Sequence, residues 1–417
     1  TSALADFKLK KLQKTLTRLY VTDVERTTRL LIEDNSDEDD NCIEVAYDHG
    51  EIIHGTDDTQ RKTIQEIEFE LISGDIGFLF TTAKTWCKRY KLCLSTVTKA
   101  ENGGLLVNGQ SHSPAVGVDL SQLEVNKDSS LPAFIRAAVH NCLLQILPNS
   151  SAIVAGSIDD EHVLQVSIGL ERLQAALKAF NSFSDEINPD WLPILKQTAN
   201  LLGNYYQLTH INTYIEPELQ VFGAPAVDWA TDIENIKITP INKLQANDFQ
   251  LTLLELVAFV MSDPSIEPQA DKLAYDKLEK ILSTHYKLCL KTDKKRDKIS
   301  DGDFMDDESN LSDDDEPDHE LLSHLKDLRY ISEFSAPLLS KKKAKKQTKR
   351  WLKRLIKVQS ALEQRHEDSQ YQQYYASKSA TDTNALYGAG WFAAMLTDDP
   401  SYIETRLAKF KDSATFW

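Results

Sequence analysis

Hydrophobic and polar positions alternate with period two from Cys42 to Asp75 and recur with helical spacing through most of the chain beyond Asp75. The pattern therefore predicts a strand-rich beginning and a helical remainder. In NCIEVAYDHGEI, Ile43, Val45 and Tyr47 point to one face of a strand, and Glu44, Ala46 and Asp48 point to the other. In QEIEFELISGD, Ile67, Phe69 and Leu71 repeat the alternation with Glu66, Glu68 and Glu70 opposite. From about Thr15 to Leu71, alternating segments broken by the turns NSDEDDN, DHG and HGTDD read as an antiparallel meander. GDIGFLFTTAKTWCKRYKL then reads as a helix, with Leu79, Ala83, Trp86 and Tyr90 at helical spacing. The Gly, Asn, Ser and Pro content of ENGGLLVNGQSHSPAVGV reads as a linker.

Beyond the linker the spacing predicts about eight to ten helices in a bundle. Leu131 to Leu147 is strongly apolar and ends at Pro148 in this reading. The next helix carries Val163, Val166, Leu170, Leu173, Leu177 and Phe180 on one stripe. Further helices are expected at Trp191 to Tyr206, Asp248 to Met261, Ala270 to Leu290, His319 to Leu339, Lys341 to Asp368 and Trp391 to Leu407. No tight repeat marks two similar halves. The fold class is α+β: a partial antiparallel β-structure over residues 1–112, then an all-α bundle over residues 118–417.

The chain has 417 residues and a formal charge of −17, which argues against a general binder of nucleic acid or of acidic membranes. Five cysteines without a CxxC spacing suggest neither a disulfide framework nor a zinc site, and a reducing cytoplasm fits them best. No apolar run is long enough to span a bilayer. The segment near residues 292–318, TDKKRDKISDGDFMDDESNLSDDDEPDHE, is too charged to bury a core and reads as a disordered insertion. Asp297, Asp301, Gly302 and Glu308 match an EF-hand loop, but Ile299 stands where an oxygen ligand is needed, so a solvated acidic loop is the better reading. In SKKKAKKQTKRWLKRLIK, Lys342, Lys346, Lys349 and Lys353 fall on one ridge of a helix. That ridge faces either a polyanion or solvent.

The carboxylates of the two acidic strands bear most directly on chemistry. At i and i+2 on one strand face they stand roughly 6.5 to 7 Å apart, close enough for two to share one hard cation. The same spacing also describes the wet face of an ordinary antiparallel sheet, and spacing alone leaves both readings open.

Taken in order, VTDVERTTR, IEVAYDHGEI, EIEFELISGD and TVTKAENGG, followed by a helical module, resemble the bacterial inorganic triphosphatases built of a CYTH domain and a CHAD domain. The resemblance implies a tunnel-like β-structure in which Arg26 and Lys99 hold triphosphate. It also implies that Glu66 and Glu68 bind Mg²⁺ or Mn²⁺, with Glu44 and Asp48 as further acidic tunnel residues. The family's Arg and Tyr after the lysine are replaced by Asn102 and Gly104. The ExExK strand that opens such domains does not occur in this sequence, so a portion on the order of a hundred residues is expected ahead of Thr1.

The helical module resembles a degenerate CHAD domain. LQVSIGLERLQAALKAF stands where the family shows a His and several Arg: Leu164, Ser167, Glu171 and Gln174 replace them, and Arg172 remains. HELLSHLKDLRYISEF keeps His319, Lys326, Arg329, Tyr330 and Glu333, and the resemblance makes His319, Lys326 and Arg329 candidate polyphosphate ligands. From Val118 onward there are 45 acidic and 33 basic residues, a field that opposes a polyanion. Metal-dependent hydrolysis of inorganic triphosphate is the leading expectation. The alternatives are a non-enzymatic polyphosphate binder, and a CYTH-type adenylate cyclase or thiamine triphosphatase.

Overall fold

In the computed structural model the described residues are 15–33, 40–300, 317–339, 345–397 and 401–417. They form a mostly helical chain that begins with a three-stranded antiparallel sheet, so the α and β parts of the expected fold class are both present. A closed tunnel is not among the described elements.

The strands β1 (Tyr20–Glu33), β2 (Asn41–His54) and β3 (Arg61–Ser73) lie in chain order. Between β2 and β3, Asp57 accepts from the Thr59 amide (3.0 Å), a local side-chain turn that reverses the chain. Pairing sets Asp48 opposite Arg26 on one side and Glu66 on the other, and Ala46 opposite Thr28 and Glu68. Arg26, Asp48, Glu66 and Glu68 therefore share one face. The other face buries Ile43 and Val45 and carries Phe69.

Helix α1 (Ile76–Tyr90) starts where the Asp75 carboxylate accepts from the Gly77 amide (3.0 Å), and it ends at Lys91 in the left-handed conformation (φ 57°). Trp86 meets Phe69 edge-on at 5.7 Å and docks the helix on the sheet's apolar face. The expected linker begins instead as a second helix, α2 (Lys99–Val107), capped by Thr98, whose hydroxyl accepts from the Glu101 amide (3.1 Å). Its glycine content reflects close packing. A Cβ on Gly103 would stand 2.4 Å from the Tyr20 ring, so only glycine lets α2 approach β1 this closely.

Two compact units divide the chain. One comprises Thr1–Val116, Leu147–His162 and Leu244–Ala258, and the other comprises Gly117–Ile146, Val163–Lys243 and Phe259–Trp417. The remaining long helices are α3 (Leu131–Val154), α4 (Asp160–Ala179), α5 (Trp191–His210), α6 (Asn247–Met261), α7 (Tyr275–Ser300), α8 (Pro317–Leu339), α9 (Lys345–Lys378), α10 (Leu386–Thr397) and α11 (Ser401–Lys411). The α4 stripe from Val163 to Phe180 is buried as its spacing predicts, and Phe180 meets Phe134 edge-on at 5.0 Å. No described helix is long and apolar enough to cross a membrane, and all five cysteines are free thiols.

Three expectations are corrected. Helix α3 continues through Pro148 rather than ending there, because Ala152 and Ile153 extend its buried stripe and offset the hydrogen bond the proline cannot donate. The segment Trp391 to Leu407 is divided between α10 and α11. The charged stretch from residue 292 is helical to Ser300, and two of its first charges are paired: buried Asp293 with Lys411 (2.6 Å) and half-buried Arg296 with Asp318 (3.4 Å), while Lys294 and Lys295 between them are exposed. Asp297 and Ile299 thus lie on helical backbone, while Asp301, Gly302 and Glu308 of the EF-hand match lie outside the described residues, as does Lys342.

Gly103→Ala tests the packing that positions α2. The clash with Tyr20 should cost about 1–3 kcal/mol, more than the gain of about 1 kcal/mol from helix propensity. Urea unfolding should show a net loss of stability, and a net gain would contradict the close approach.

Candidate functional site

Register and one helix start bring five charged side chains together on the even-numbered face of the sheet. Arg26 donates to both oxygens of Asp48, from Nε to Oδ1 (2.7 Å) and from Nη2 to Oδ2 (2.6 Å). Its Nη2 also reaches Glu68 Oε2 (2.7 Å). Lys99, the first residue of α2, places Nζ 2.7 Å from Asp48 Oδ2 and 2.8 Å from Glu68 Oε1, and it also pairs with Glu66 Oε1. A lysine in the first helical turn is disfavoured by the helix dipole, and here the three carboxylates compensate.

Asp48 is fully buried (0%), whereas Glu68 is about half exposed at 48%. Hydrogen bonds from Arg26, and secondarily from Lys99, outweigh the burial of Asp48 and hold its carboxyl down at about 2. The hydrogen bond from Lys99 and the charge of Arg26 also lower Glu68. Arg26 is raised, first by its hydrogen bond to Asp48. For Lys99, burial acts to lower the ammonium, but the three carboxylates outweigh it and raise it.

One oxygen from each of Asp48, Glu66 and Glu68 lies within 4.8 Å of the others, the only such grouping of metal-ligating side chains among the described residues. Three hard oxygen donors suit Mg²⁺ or Mn²⁺, with open positions left for water or phosphate oxygens. Of the four acids expected at a metal, the structure brings three together. Asp48 is central, whereas Glu44 lies opposite Leu30 and Glu70, four residues along β2 from Asp48 and so about 13 Å away. Glu66, Glu68 and Lys99 open on a cleft of about 1000 Å³ along the outer edge of β3, which Lys62 also lines. Lys62 was missed, although it has the same strand parity as Glu66 and Glu68.

The candidates in the helical module are neutralised from within the chain. Lys326 reaches Glu171 (3.3 Å) and Glu363 (3.4 Å), and the Tyr330 hydroxyl donates to Glu171 (3.4 Å). Burial acts against the Lys326 ammonium, but Glu171 and Glu363 outweigh it and raise it. Arg329 pairs with Glu333 (2.8 Å), and the His319 ring stacks on His366 at 4.8 Å. Arg172 is buried and donates to Asn141 (2.7 Å) and Gln145 (2.9 Å), a packing role. Lys346, Lys349 and Lys353 are exposed on α9.

Residues 137–374 match the family described as CHAD domain. A stretch of 96 residues is 38% identical to an inorganic triphosphatase of Haemophilus influenzae, covering 23% of this chain and 25% of that protein. The chain therefore spans about a quarter of the length of that relative. The crystal structure of the CHAD domain from the plant Ricinus communis shares the fold, with a TM-score of 0.55 at 18% identity over 72% of this chain and 97% of that one. PptA from Streptomyces chartreusis aligns with a TM-score of 0.44 at 15% identity over 68% of this chain and 99% of that one.

The depressed Asp48 carboxyl makes a signed prediction. Folding favours its charged form, so the stability it adds is present above about pH 4 and disappears as pH falls through about 2. Asp48→Asn should cost on the order of 2 kcal/mol at pH 7 and progressively less towards pH 2. Denaturant midpoints at pH 7, 4 and 2.5 check this, and a wild-type-to-variant gap that is constant with pH would refute it.

Proposed function

The chain belongs to the CHAD domain family, which matches residues 137–374, and from that premise we propose that the intact protein hydrolyses inorganic triphosphate with a divalent metal at the sheet site. One observation carries the reading: three carboxylates with converging oxygens stand in direct contact with a guanidinium and an ammonium on one sheet face, beside an open cleft. The 38% identity over 96 residues to a protein named an inorganic triphosphatase supports it.

Asp48, Glu66 and Glu68 would hold Mg²⁺ or Mn²⁺. When bound, the ion supplies positive charge to phosphate oxygens and polarises the phosphoryl group. Arg26 offers a planar fork suited to two phosphate oxygens, and Lys99 offers a mobile point charge. Their work is to hold the polyanion and spread the charge that develops as water attacks the terminal phosphorus in line. Among the described residues, β1 and β3 have unpaired outer edges. In this reading further strands of a CYTH-type tunnel continue the sheet, with Glu44 as an outlying acidic wall residue. The reaction is assigned to the cytoplasm, with neither nucleic acid nor membrane as partner.

Protein incubated with triphosphate and Mg²⁺ or Mn²⁺ should release phosphate, and Glu68→Gln should lower kcat/KM by about a hundredfold or more. Release no greater than that of the variant would overturn the reading.

A second role for the helical module is supported by the exposed Lys346, Lys349 and Lys353 on α9, which present a cationic ridge to a polyphosphate chain. His319, Lys326 and Arg329 contribute less in this reading, because each already has a partner within the chain. Retention on immobilised polyphosphate should fall with rising salt and weaken when the three lysines are changed to Gln. Salt-independent or absent retention would remove this role.

A further inference from the structure

Resting on the proposed carboxylate metal site, we propose that Lys99 is the resident cation of that site and competes with a divalent ion for Asp48, Glu66 and Glu68 until it turns onto the phosphate. Lys99 thereby couples metal loading to substrate binding.

An ammonium has three N–H donors, and those of Lys99 meet three different carboxylates. Of the six oxygens in the cluster, five already face a cation. Arg26 faces Asp48 Oδ1 and Oδ2 and Glu68 Oε2, and Lys99 faces Asp48 Oδ2, Glu66 Oε1 and Glu68 Oε1. Among the described residues Lys99 alone touches all three acids, so its ammonium stands where the metal-ligating oxygens converge. A dication drawing on the same oxygens would face both steric exclusion and repulsion from Lys99.

The two cations differ in how readily they can leave. Arg26 is fixed by two parallel hydrogen bonds to a fully buried carboxylate. Lys99 carries its charge on a flexible four-carbon stem, while its backbone is anchored by the Thr98 cap. Its side chain lines the open cleft, where a polyanion can approach. A triphosphate that attracts the ammonium frees ligand oxygens, and a bound ion in turn releases the ammonium for the triphosphate. Because the coupling is an equilibrium property, each ligand strengthens the other by the same factor.

Mn²⁺ binding, followed by the electron paramagnetic resonance signal of the free ion in the absence of phosphate, tests this without any turnover. Lys99→Met and Lys99→Gln should bind Mn²⁺ about tenfold or more tightly than wild type, while Lys99→Arg, which keeps a cation there, should gain little. Lys62→Met is the control for general charge, since it removes a cation of the same cleft that pairs with none of the three acids; its gain should stay below about twofold. An equal gain from Lys62→Met overturns the proposal. So does unchanged or weaker binding in Lys99→Met and Lys99→Gln while Glu68→Gln still abolishes binding, which leaves the metal site itself standing. No Mn²⁺ binding at millimolar concentration in any of these proteins overturns both the proposal and the site beneath it.

Discussion

The ionised carboxylate of Asp48, fully buried in the central strand, is the constraint on which the first unit is organised. A buried charge without partners is among the most costly features a fold can contain, so its neighbours must be correct. Arg26 comes from one flanking strand and Lys99 from the start of a helix, while the other flanking strand contributes Glu66 and Glu68 to the same face. A one-residue slip of β1 would send Arg26 to the opposite face and leave Asp48 without its bidentate partner. The charged cluster therefore helps to select the register, and α2 must end its approach where Lys99 can reach. Gly103 permits that approach by letting α2 lie against Tyr20.

Much of this was legible in the chain because period-two alternation and helical stripes are local properties. The acidic strands, α1 and the buried stripe of α4 follow from side-chain order, but the turn expected at DHG is absent: β2 runs through Asp48 to Gly50 in register with both neighbours. Long-range selection was not legible. Parity places Glu44 and Asp48 on the same face, but only the pairing of β2 with β1 and β3 decides that Asp48 meets Arg26 and Glu66 while Glu44 meets Leu30 and Glu70. The glycines after Lys99 suggested a flexible segment, because sequence alone does not distinguish a glycine that bends from one that admits a neighbouring ring. Asp293 and Arg296 likewise looked like solvated charges, and their partners lie far away in sequence at Lys411 and Asp318.

Charge balance separates the two candidate anion sites. At Lys326 one ammonium meets Glu171 and Glu363 within the helical module, so an approaching polyanion would find a cation already more than neutralised. Glu171 matters there as a direct partner, a local effect stronger than its share of the summed acidic field. On the sheet, three carboxylates face two cations, an excess of one negative charge beside an open cleft. A divalent ion would reverse that balance to one positive charge, and Lys99 would then be free to turn from its carboxylates towards phosphate while Arg26 stays on Asp48. In the proposed reading, the same ion pairs that stabilise the sheet without ligands also keep the site unattractive to a polyanion until metal and substrate arrive together.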